Sequence, residues 1–192
     1  MKQLRKAGHS INVIGRDLTK ARKLAEQYGA ISDARVAGES NVVLVATPYA
    51  DAVTALRALP LQDSQIVLDI TNPLTQDYMG LTIGHDTSAA EEIASALPKA
   101  RVVKAFNTLF AQVISDGADF GNGQGVPTYI AGDDKEAKNA AAQLAQSIGF
   151  VPVDAGGLRN ARYLEPLAGL NIYFGYGAGQ GTNIAPAWLR RA

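Results

Sequence analysis

The 192-residue sequence contains no cysteine, and histidine occurs only at His9 and His85. Without cysteine, the chain has no disulfide framework, no thiolate zinc site and no cysteine nucleophile. His85 lies in a polar loop beside an aspartate, which favours a surface position over a catalytic one. No nucleophile–base pair and no metal-binding cluster emerges from the remaining residues. We therefore predict no catalytic side chain and no metal ligand.

An excess of one charge sign is also lacking, because 18 lysines and arginines balance 18 aspartates and glutamates. This balance gives no indication of a nucleic-acid partner or an anionic membrane surface. No apolar run approaches the roughly 18 residues of a membrane span, and the first residues show no signal-peptide pattern. We therefore expect a soluble, cytoplasmic protein with no nucleic-acid or membrane partner.

What the sequence does contain is a regular alternation of apolar runs and helical segments. Asp17 is placed to cap one helix, Gly29 to end it, and Ser88 with Glu91 forms a capping box for another. The alternation predicts an α/β fold with a Rossmann-like, doubly wound, mostly parallel sheet. We assign residues 1–155 to a dinucleotide-binding domain and residues 156–192 to a C-terminal helical segment. The predicted strands are residues 11–14, 41–46, 64–70, 101–105, 127–131 and 151–154, with a weak strand and loop over 30–40.

The first strand and the glycine-rich loop of a dinucleotide-binding unit are not found at the start of this sequence. If residues 11–14 form the second strand of a dinucleotide-binding unit, a first strand and a Gly-x-Gly-x-x-Gly loop should precede them. Instead, the first residues are typical of a helix end, with Gly8 as its stop. We therefore expect roughly 15–20 residues to be missing upstream, since the whole unit takes about 30. Residues 11–14 should then either stand apart from residues 42–46 across a gap or pair with them directly.

Two glycine-rich stretches, residues 121–125 and 175–181, do not supply the missing loop. Neither stands between a strand and a following helix, where a phosphate loop is required. We interpret the first as a flexible connection and the second as a helix end or a closely packed segment.

Small, polar or turn-forming residues follow four of the predicted strands abruptly. Ligands of open α/β sheets bind outside the carboxyl ends of the strands, so the four ends together predict a groove long enough for a dinucleotide. Each end alone is also compatible with ordinary turn and helix-capping chemistry. The aromatic ring among them could pack on a cofactor or lie at the boundary with its hydroxyl in water. The four ends are Gly15-Arg16, Ala46-Thr-Pro-Tyr49, Thr71-Asn-Pro73 and Phe106-Asn-Thr108.

Arg16 and Lys20 bear on the choice between NAD and NADP. At the end of the second strand, an acidic residue holds the ribose 2′-OH of NAD, whereas an arginine accommodates the 2′-phosphate of NADP. Lys20 in the first helical turn opposes the helix dipole unless an anion binds there. Lys20, Arg22 and Lys23 could equally form a solvated basic face, and Asp17 could reach a ribose hydroxyl and favour NAD.

The strand-end motifs, taken in order, resemble one family. The chain is similar to the NADP oxidoreductases that depend on coenzyme F420 and, more distantly, to the soluble domain of the membrane ferric reductases known as STEAP proteins. The motifs extend through nearly the whole chain. They read Ile-Gly-Arg-Asp-x-x-Lys, Ala-Thr-Pro-Tyr, Asp-Ile-Thr-Asn-Pro, Thr-Ser-Ala-Ala-Glu, Lys-Ala-Phe-Asn-Thr and Asp-Ala-Gly-Gly-Leu-x-Asn-Ala-Arg-x-Leu-Glu.

The resemblance implies a set of cofactor-binding residues and a homodimer whose C-terminal helices help to close the second site. It implies that Arg16 and Lys20 hold the 2′-phosphate of NADP. The other residues that it implies follow the cofactor from its middle to the nicotinamide and the facing deazaflavin. These are Thr47, Pro48 and Tyr49 at the middle, Asn72 and Pro73 beneath it, and Phe106, Asn107 and Thr108 near the nicotinamide.

We therefore predict an NADPH-dependent oxidoreductase that transfers hydride between NADP and a small-molecule acceptor, either a deazaflavin (coenzyme F420) or a flavin-like compound. In such enzymes the cofactor carries the chemistry and the protein positions it, which fits the lack of an acid–base pair. Two alternatives remain open at this point. One is a flavin- or ferric-reductase activity, and the other is a dinucleotide-binding dimer without turnover.

Overall fold

The computed structural model describes residues 1–121, 123–189 and 191. Its α-helices are α1 (Lys2–Lys6), α2 (Leu18–Gln27), α3 (Tyr49–Arg57), α4 (Ala89–Ala96), α5 (Ala111–Asp116), α6 (Lys135–Ser147) and α7 (Ala161–Ile172). The strands are β1 (Val42–Val45), β2 (Ile66–Asp69), β3 (Arg101–Lys104), β4 (Pro127–Gly132) and β5 (Val151–Asp154). Short 3₁₀ helices cover Ala34–Glu39 and Leu158–Asn160, and a π-helical turn follows α7 over Tyr173–Gly177.

The five strands form one sheet in the order β1-β2-β3-β4-β5. Strands β1, β2 and β3 are parallel, β4 runs antiparallel to β3, and β5 is parallel to β4. The predicted Rossmann-like, mostly parallel α/β fold is therefore confirmed. Because β1, β2 and β3 run the same way, they end at one side of the sheet, which we call the carboxyl edge.

Both faces of the sheet are covered, which explains why its central strands are largely apolar. Adjacent residues point to opposite faces, and so Val67 and Leu68 of β2 enter two different cores. Leu68 packs with the face that carries α5 and α6, whereas Val67 packs with α3 and α4. Both side chains are fully buried.

Several helix ends lie where the sequence predicts them. The Asp17 carboxylate accepts a hydrogen bond from the backbone N–H of Lys20 at 3.0 Å, and Gly29 follows α2 with a φ of +60°. Ser88 and Glu91 form the predicted capping box, in which the hydroxyl of Ser88 accepts from the Glu91 N–H and donates to its carboxylate. These caps satisfy N–H groups that the first helical turn leaves unpaired.

The prediction of a strand over residues 11–14 is wrong. Only one bridge is present there, between Asn12 and Ile31 in parallel orientation, and the weak strand predicted over 30–40 is likewise reduced to Ile31. The physical reason is that the partner segment turns away at once. The side chain of Asn12 bonds the backbone N–H and C=O of Asp33, and Asp33 caps the 3₁₀ helix that begins at Ala34.

The segment around Asn12 does not extend the sheet at the outer edge of β1. Direct pairing of residues 11–14 with β1 is not found, and the Asn12 segment bonds Ile31. Within the residues that the structure describes, β1 pairs with β2 alone, and the side chain of Leu44 is 39% exposed.

Membrane-spanning helices and metal-binding groups are both absent from the same described residues. None of their helices has both the length and the apolar character needed to cross a membrane. They contain no group of three or more histidine, aspartate or glutamate side chains placed to hold a metal ion.

Candidate cofactor and acceptor site

Arg16 and Lys20 lie at one end of the carboxyl edge, which we call the arginine end. Arg16 Nη2 is 3.7 Å from Asp51 Oδ2 in the first turn of α3, and Lys20 Nζ is 3.7 Å from Asp17 Oδ2. The two cationic side chains are 89% and 86% exposed, so these long ion pairs contribute little to stability. An incoming phosphate could therefore recruit both cations at small cost, because Asp17 and Asp51 hold them only loosely.

The turn between β1 and α3 forms the middle of the carboxyl edge. Thr47 Oγ1 is buried and has no hydrogen-bond partner among the described residues, whereas Pro48 is exposed. Tyr49 is the first residue of α3, and its hydroxyl donates to the carboxylate of Glu92 on α4. Burial and the neighbouring Glu92 raise the pKa of the Tyr49 hydroxyl well above its usual range. The hydroxyl is therefore engaged by protein, contrary to the interpretation that placed it in water, and only the half-buried ring remains for a ligand.

Asn72 and Asn107 join the ends of β2 and β3 through their side chains, and we call this region the asparagine end. Asn72 Nδ2 donates to the backbone oxygen of Asn107, and Asn107 Nδ2 donates to Asn72 Oδ1, each at 2.9 Å. Asn107 Nδ2 also donates to the backbone oxygen of Leu164 on α7 at 3.0 Å. The two asparagines that the sequence predicts to share a site are thus brought into contact, and α7 is bonded to the turn that follows β3.

The backbone at the asparagine end is unusual at Phe106. This residue has a φ of +61°, a left-handed conformation that is uncommon for a bulky side chain. Its ring is buried and packs edge-on against Phe150 at 6.3 Å between centroids. Strain of this kind persists only where the surroundings over-determine the conformation. The turn that presents Asn107 and Thr108 is therefore fixed by the core beneath it.

A cavity of about 220 Å³ opens at the asparagine end, between the strand ends and α7. Asn107 Oδ1 and Thr108 Oγ1 are buried in its lining residues without a hydrogen-bond partner among the described residues. The Thr108 hydroxyl does not cap α5, which begins after Phe110 with no side-chain cap, so the capping alternative is wrong for this residue. The lining is otherwise neutral and partly aromatic: Asn72, Tyr78, Leu109, Phe110, Ala111, Ala168, Asn171, Ile172 and Tyr176.

The glycine-rich segment after α7 supports the wall of this cavity. A Cβ atom at Gly175 would lie 2.5 Å from Cζ of Phe110, which is closer than any real contact. The ring of Phe110 also packs edge-on against Tyr176, with 5.6 Å between centroids. The interpretation of this segment as closely packed is therefore confirmed at Gly175.

Directly beneath the predicted site residues lies a buried group of charges that sequence reasoning missed. Lys104 Nζ is 2.6 Å from Asp69 Oδ2 and 2.8 Å from Glu165 Oε1, and it donates to the backbone oxygen of Thr71 at 2.8 Å. The side chains of Asp69 and Lys104 are fully buried, and that of Glu165 is 1% exposed. Burial raises the pKa of Glu165, although Lys104 and two backbone N–H groups oppose the shift. We call these three residues the buried charge cluster.

A sequence signal for this cluster existed. Lys104 interrupts an otherwise apolar run that is buried on both faces, and a charged residue is almost never fully buried unless it is paired. Asp69 closes the preceding strand at the register position opposite Lys104. The third member, Glu165, could not be located in this way because an amphipathic helix carries many glutamates on its exposed face.

The fit of the carboxyl edge to a dinucleotide is good at both ends and incomplete between them. The arginine end supplies two cations for a phosphate, and the asparagine end supplies unpaired buried oxygens beside a cavity. A pyrophosphate is usually received by backbone N–H groups of a glycine-rich turn at a helix N-terminus. In the described part of the chain, the turns that follow β1, β2 and β3 carry no Gly-x-Gly-x-x-Gly pattern. The assignment of individual residues to NADP stays a prediction.

Comparisons with known proteins agree with this architecture. Residues 1–73 match the model of the family described as NADP oxidoreductase, coenzyme F420-dependent. The F420-dependent NADP reductase of Methanocaldococcus jannaschii is 29% identical over 181 residues, covering 86% of this chain and 78% of that protein. The metalloreductase STEAP3 of Rattus norvegicus is 30% identical over 162 residues, which cover 84% of this chain. The matched part is 32% of STEAP3, so this chain corresponds to about a third of that protein.

A solved structure extends the similarity over almost the whole chain. It is described as a candidate F420-dependent NADP reductase from Arthrobacter sp. FB24, and it superposes with a TM-score of 0.85 at 27% identity. The superposition covers 98% of this chain and 92% of that one. The fold, the family model and the named relatives agree, and the resemblance of this chain to the coenzyme F420-dependent NADP oxidoreductases is confirmed.

Proposed function

We propose that this protein is an NADP-dependent oxidoreductase that transfers hydride between NADP and a deazaflavin of the coenzyme F420 type. The oxidoreductase class is supported by the relatives, which are named NADP reductases and metalloreductases. The deazaflavin as acceptor is supported by the family model and by the two archaeal relatives named F420-dependent.

The observation that carries this proposal is the cavity at the asparagine end. A hydride donor and its acceptor must meet in a site that excludes water and fixes their orientation. The cavity has a neutral, partly aromatic lining, and the unpaired oxygens of Asn107 and Thr108 can accept hydrogen bonds from the edge of a ring. These features suit a planar heterocycle held by its rim.

In this proposal the cofactor supplies the redox chemistry, and the side chains of the chain bind and orient it. Arg16 and Lys20 hold the 2′-phosphate of NADP, and the Tyr49 ring with Thr47 and Pro48 lines the middle of the cofactor. Asn72 and Pro73 continue beneath it. Phe106, Asn107 and Thr108 border the nicotinamide and the acceptor ring, so no side chain is required as an acid or base.

A second candidate function is the reduction of a flavin or of ferric iron by NADPH. The specific observation in its favour is the similarity to STEAP3, a metalloreductase, over most of this chain. The described residues contain no group of acidic or histidine side chains placed to hold a metal, so iron would be a substrate that meets a reduced flavin. A dinucleotide-binding dimer without turnover is the third possibility.

Steady-state oxidation of NADPH by the purified chain separates these functions. We expect turnover with coenzyme F420 that is much faster than with FMN, and no dependence on ferric chelate. Faster turnover with FMN, or reduction of ferric chelate only when FMN is present, would replace the deazaflavin by the reductase function. Binding of NADPH without its oxidation in any of these mixtures would support a dinucleotide-binding dimer without turnover.

We also propose that the chain forms a homodimer through α7 and the segment that follows it. Several large apolar side chains are exposed there, which is the usual mark of an association surface. They are Tyr163, Leu170, Tyr173 and Tyr176, exposed by 74%, 50%, 52% and 63%. Sedimentation equilibrium should give twice the chain mass for the native protein and a smaller value for Leu170→Glu. A native monomer would contradict this proposal.

A further inference from the structure

The buried charge cluster of Asp69, Lys104 and Glu165 has no part in the function proposed above. It joins four elements, because Asp69 ends β2, Lys104 ends β3, Glu165 lies on α7, and its carboxylate accepts from the first N–H groups of α4. Those two bonds, from the backbone N–H groups of Ala89 and Ala90, are 3.0 and 3.3 Å long. They place the second negative charge of the cluster at the positive end of a helix.

Stability alone does not explain such a cluster. A buried ion pair is often no more stabilising than apolar residues of the same volume, since desolvation of the charges offsets their attraction. What the charges do provide is short contacts between separate elements, because Lys104 Nζ lies 2.6–2.8 Å from Asp69 Oδ2, Glu165 Oε1 and the backbone oxygen of Thr71. These contacts hold two parts of the molecule in place.

One part is the turn that presents Asn72. Asp69 Oδ1 accepts from the backbone N–H of Thr71 at 2.8 Å, and Lys104 Nζ donates to the backbone oxygen of the same residue. Both polar groups of the Thr71 backbone are thus bonded by the cluster. Asn72 follows directly, so its side chain leaves a fixed backbone toward Asn107.

The other part is the wall formed by α7. Glu165 binds Lys104, and the preceding residue, Leu164, accepts from Asn107 through its backbone oxygen. Two consecutive residues of α7 therefore bond the end of β3 and the turn that follows it. The cavity-lining residues Ala168, Asn171 and Ile172 follow on the same helix within two turns.

We propose that Glu165, through Lys104 and Asp69, is a positioning residue that sets the distance between α7 and the strand ends and thereby shapes the acceptor cavity. The group does not touch the ligand. It acts through Leu164 and Asn107 on one side and through Thr71 and Asn72 on the other. The part of this inference that concerns the acceptor rests on the proposed function.

A comparison of variants tests it. Glu165→Ala removes the attachment of α7 to Lys104 but leaves Lys104 paired with Asp69, so no charge is left buried alone. Glu165→Gln keeps an oxygen for Lys104 and should retain more activity. Arg162→Met is the matched control, because the Arg162–Glu91 pair at 2.7 Å also joins α7 to α4 but lies away from the strand ends.

We expect Glu165→Ala to raise the KM for the acceptor roughly tenfold, the size expected when buried hydrogen bonds are misplaced. The KM for NADPH should stay within about twofold, Glu165→Gln should lie between the native protein and Glu165→Ala, and Arg162→Met should change neither constant. Equal increases in both KM values, or the same effect in Arg162→Met, would overturn the proposal.

A second measurement does not depend on turnover. The side-chain amide NMR signals of Asn72 and Asn107 should shift and broaden in Glu165→Ala and stay in place in Arg162→Met. Unchanged signals in Glu165→Ala would overturn the positioning role. If the native protein oxidises no NADPH, the proposed function fails, while this measurement still decides whether Glu165 positions the two asparagines. Glu165→Gln gives the same readout if Glu165→Ala does not fold.

Discussion

The two ends of the carboxyl edge are built in opposite ways. At the arginine end, Arg16 and Lys20 extend into water and meet carboxylates only at 3.7 Å. At the asparagine end, Asn107 is 5% exposed, bonds two other segments, and lies above a fully buried lysine. One end is exposed and charged, and the other is buried, hydrogen-bonded and neutral at its surface.

The difference indicates that the two ends have separate roles, one in cofactor affinity and the other in orientation. Exposed cations attract an anion from a distance and reorganise around it, so they contribute to affinity and to the choice between NAD and NADP. A buried hydrogen-bonded network cannot reorganise cheaply, and in the function proposed above it suits the end that orients two rings for hydride transfer. If this is right, substitutions at the two ends should change different quantities.

Lys104→Met should have the largest effect and should appear in stability. Two carboxylates would be left buried without their cation, which typically costs about 3–5 kcal/mol of unfolding free energy. The matched control is Lys99→Met, which breaks the surface pair with Asp63, where the two side chains are 76% and 74% exposed, and should cost about 0–1 kcal/mol. Urea denaturation of the two variants measures both values, and equal losses would remove the distinction between buried and exposed charges.

Arg16→Ala should act on cofactor affinity and leave stability unchanged. Loss of a charge-assisted contact to phosphate costs about 1.5–3 kcal/mol, or roughly 10- to 150-fold in the Kd for NADP, with little change for NAD. Arg57→Ala, at the far end of α3, is the control and should change neither Kd. Titration with both cofactors decides the matter, and equal weakening toward NAD and NADP would refute the assignment of Arg16.

Asn107→Ala should combine a modest loss of stability with a higher KM for the acceptor. The backbone oxygen of Leu164 and the side chain of Asn72 would lose a buried donor, at a cost of about 1–3 kcal/mol. Asn12→Ala removes two similar bonds to Asp33 and serves as the control, with a comparable stability loss and an unchanged acceptor KM. An acceptor KM that rises equally in both variants would show that the asparagine end is merely structural.

His85→Asn should have the smallest effect. His85 is exposed and has a φ of +59°, which asparagine tolerates better than alanine does. A positioned general acid would contribute about 10²- to 10⁴-fold to turnover, whereas we expect a change of at most a few-fold. A loss of a hundredfold or more in folded His85→Asn would mean that the edge carries acid–base chemistry after all.

The sequence was informative where one residue type has one strong local role. Ser88 with Glu91, Asp17 and Gly29 were placed correctly because caps depend on neighbours within a few residues. The strand ends were found because apolar runs stop abruptly at polar turns. Residues 11–14 were misassigned because strand formation depends on a partner segment, and the partner turns away after Ile31.

Long-range polar contacts were beyond the reach of such patterns. The pairing of Asn72 with Asn107 spans 35 positions, and the pairing of Tyr49 with Glu92 spans 43. Nothing in the local sequence of Tyr49 specifies a carboxylate partner on another helix. The link from Glu165 to Lys104 depends on how α7 docks, which is decided by tertiary packing.

The reversed direction of β4 has a consequence for how the site is enclosed. Because β4 and β5 run against β3, the chain leaves β5 heading away from the carboxyl edge. The twelve residues of α7 then travel back about 18 Å, at 1.5 Å per residue, and deliver Asn171 to the backbone oxygen of Thr108. As a result of this change of strand direction, α7 runs back toward the carboxyl edge and forms one wall of the cavity. An insertion or deletion in β4 or β5 would therefore displace a wall of the site without touching any residue that contacts the ligand.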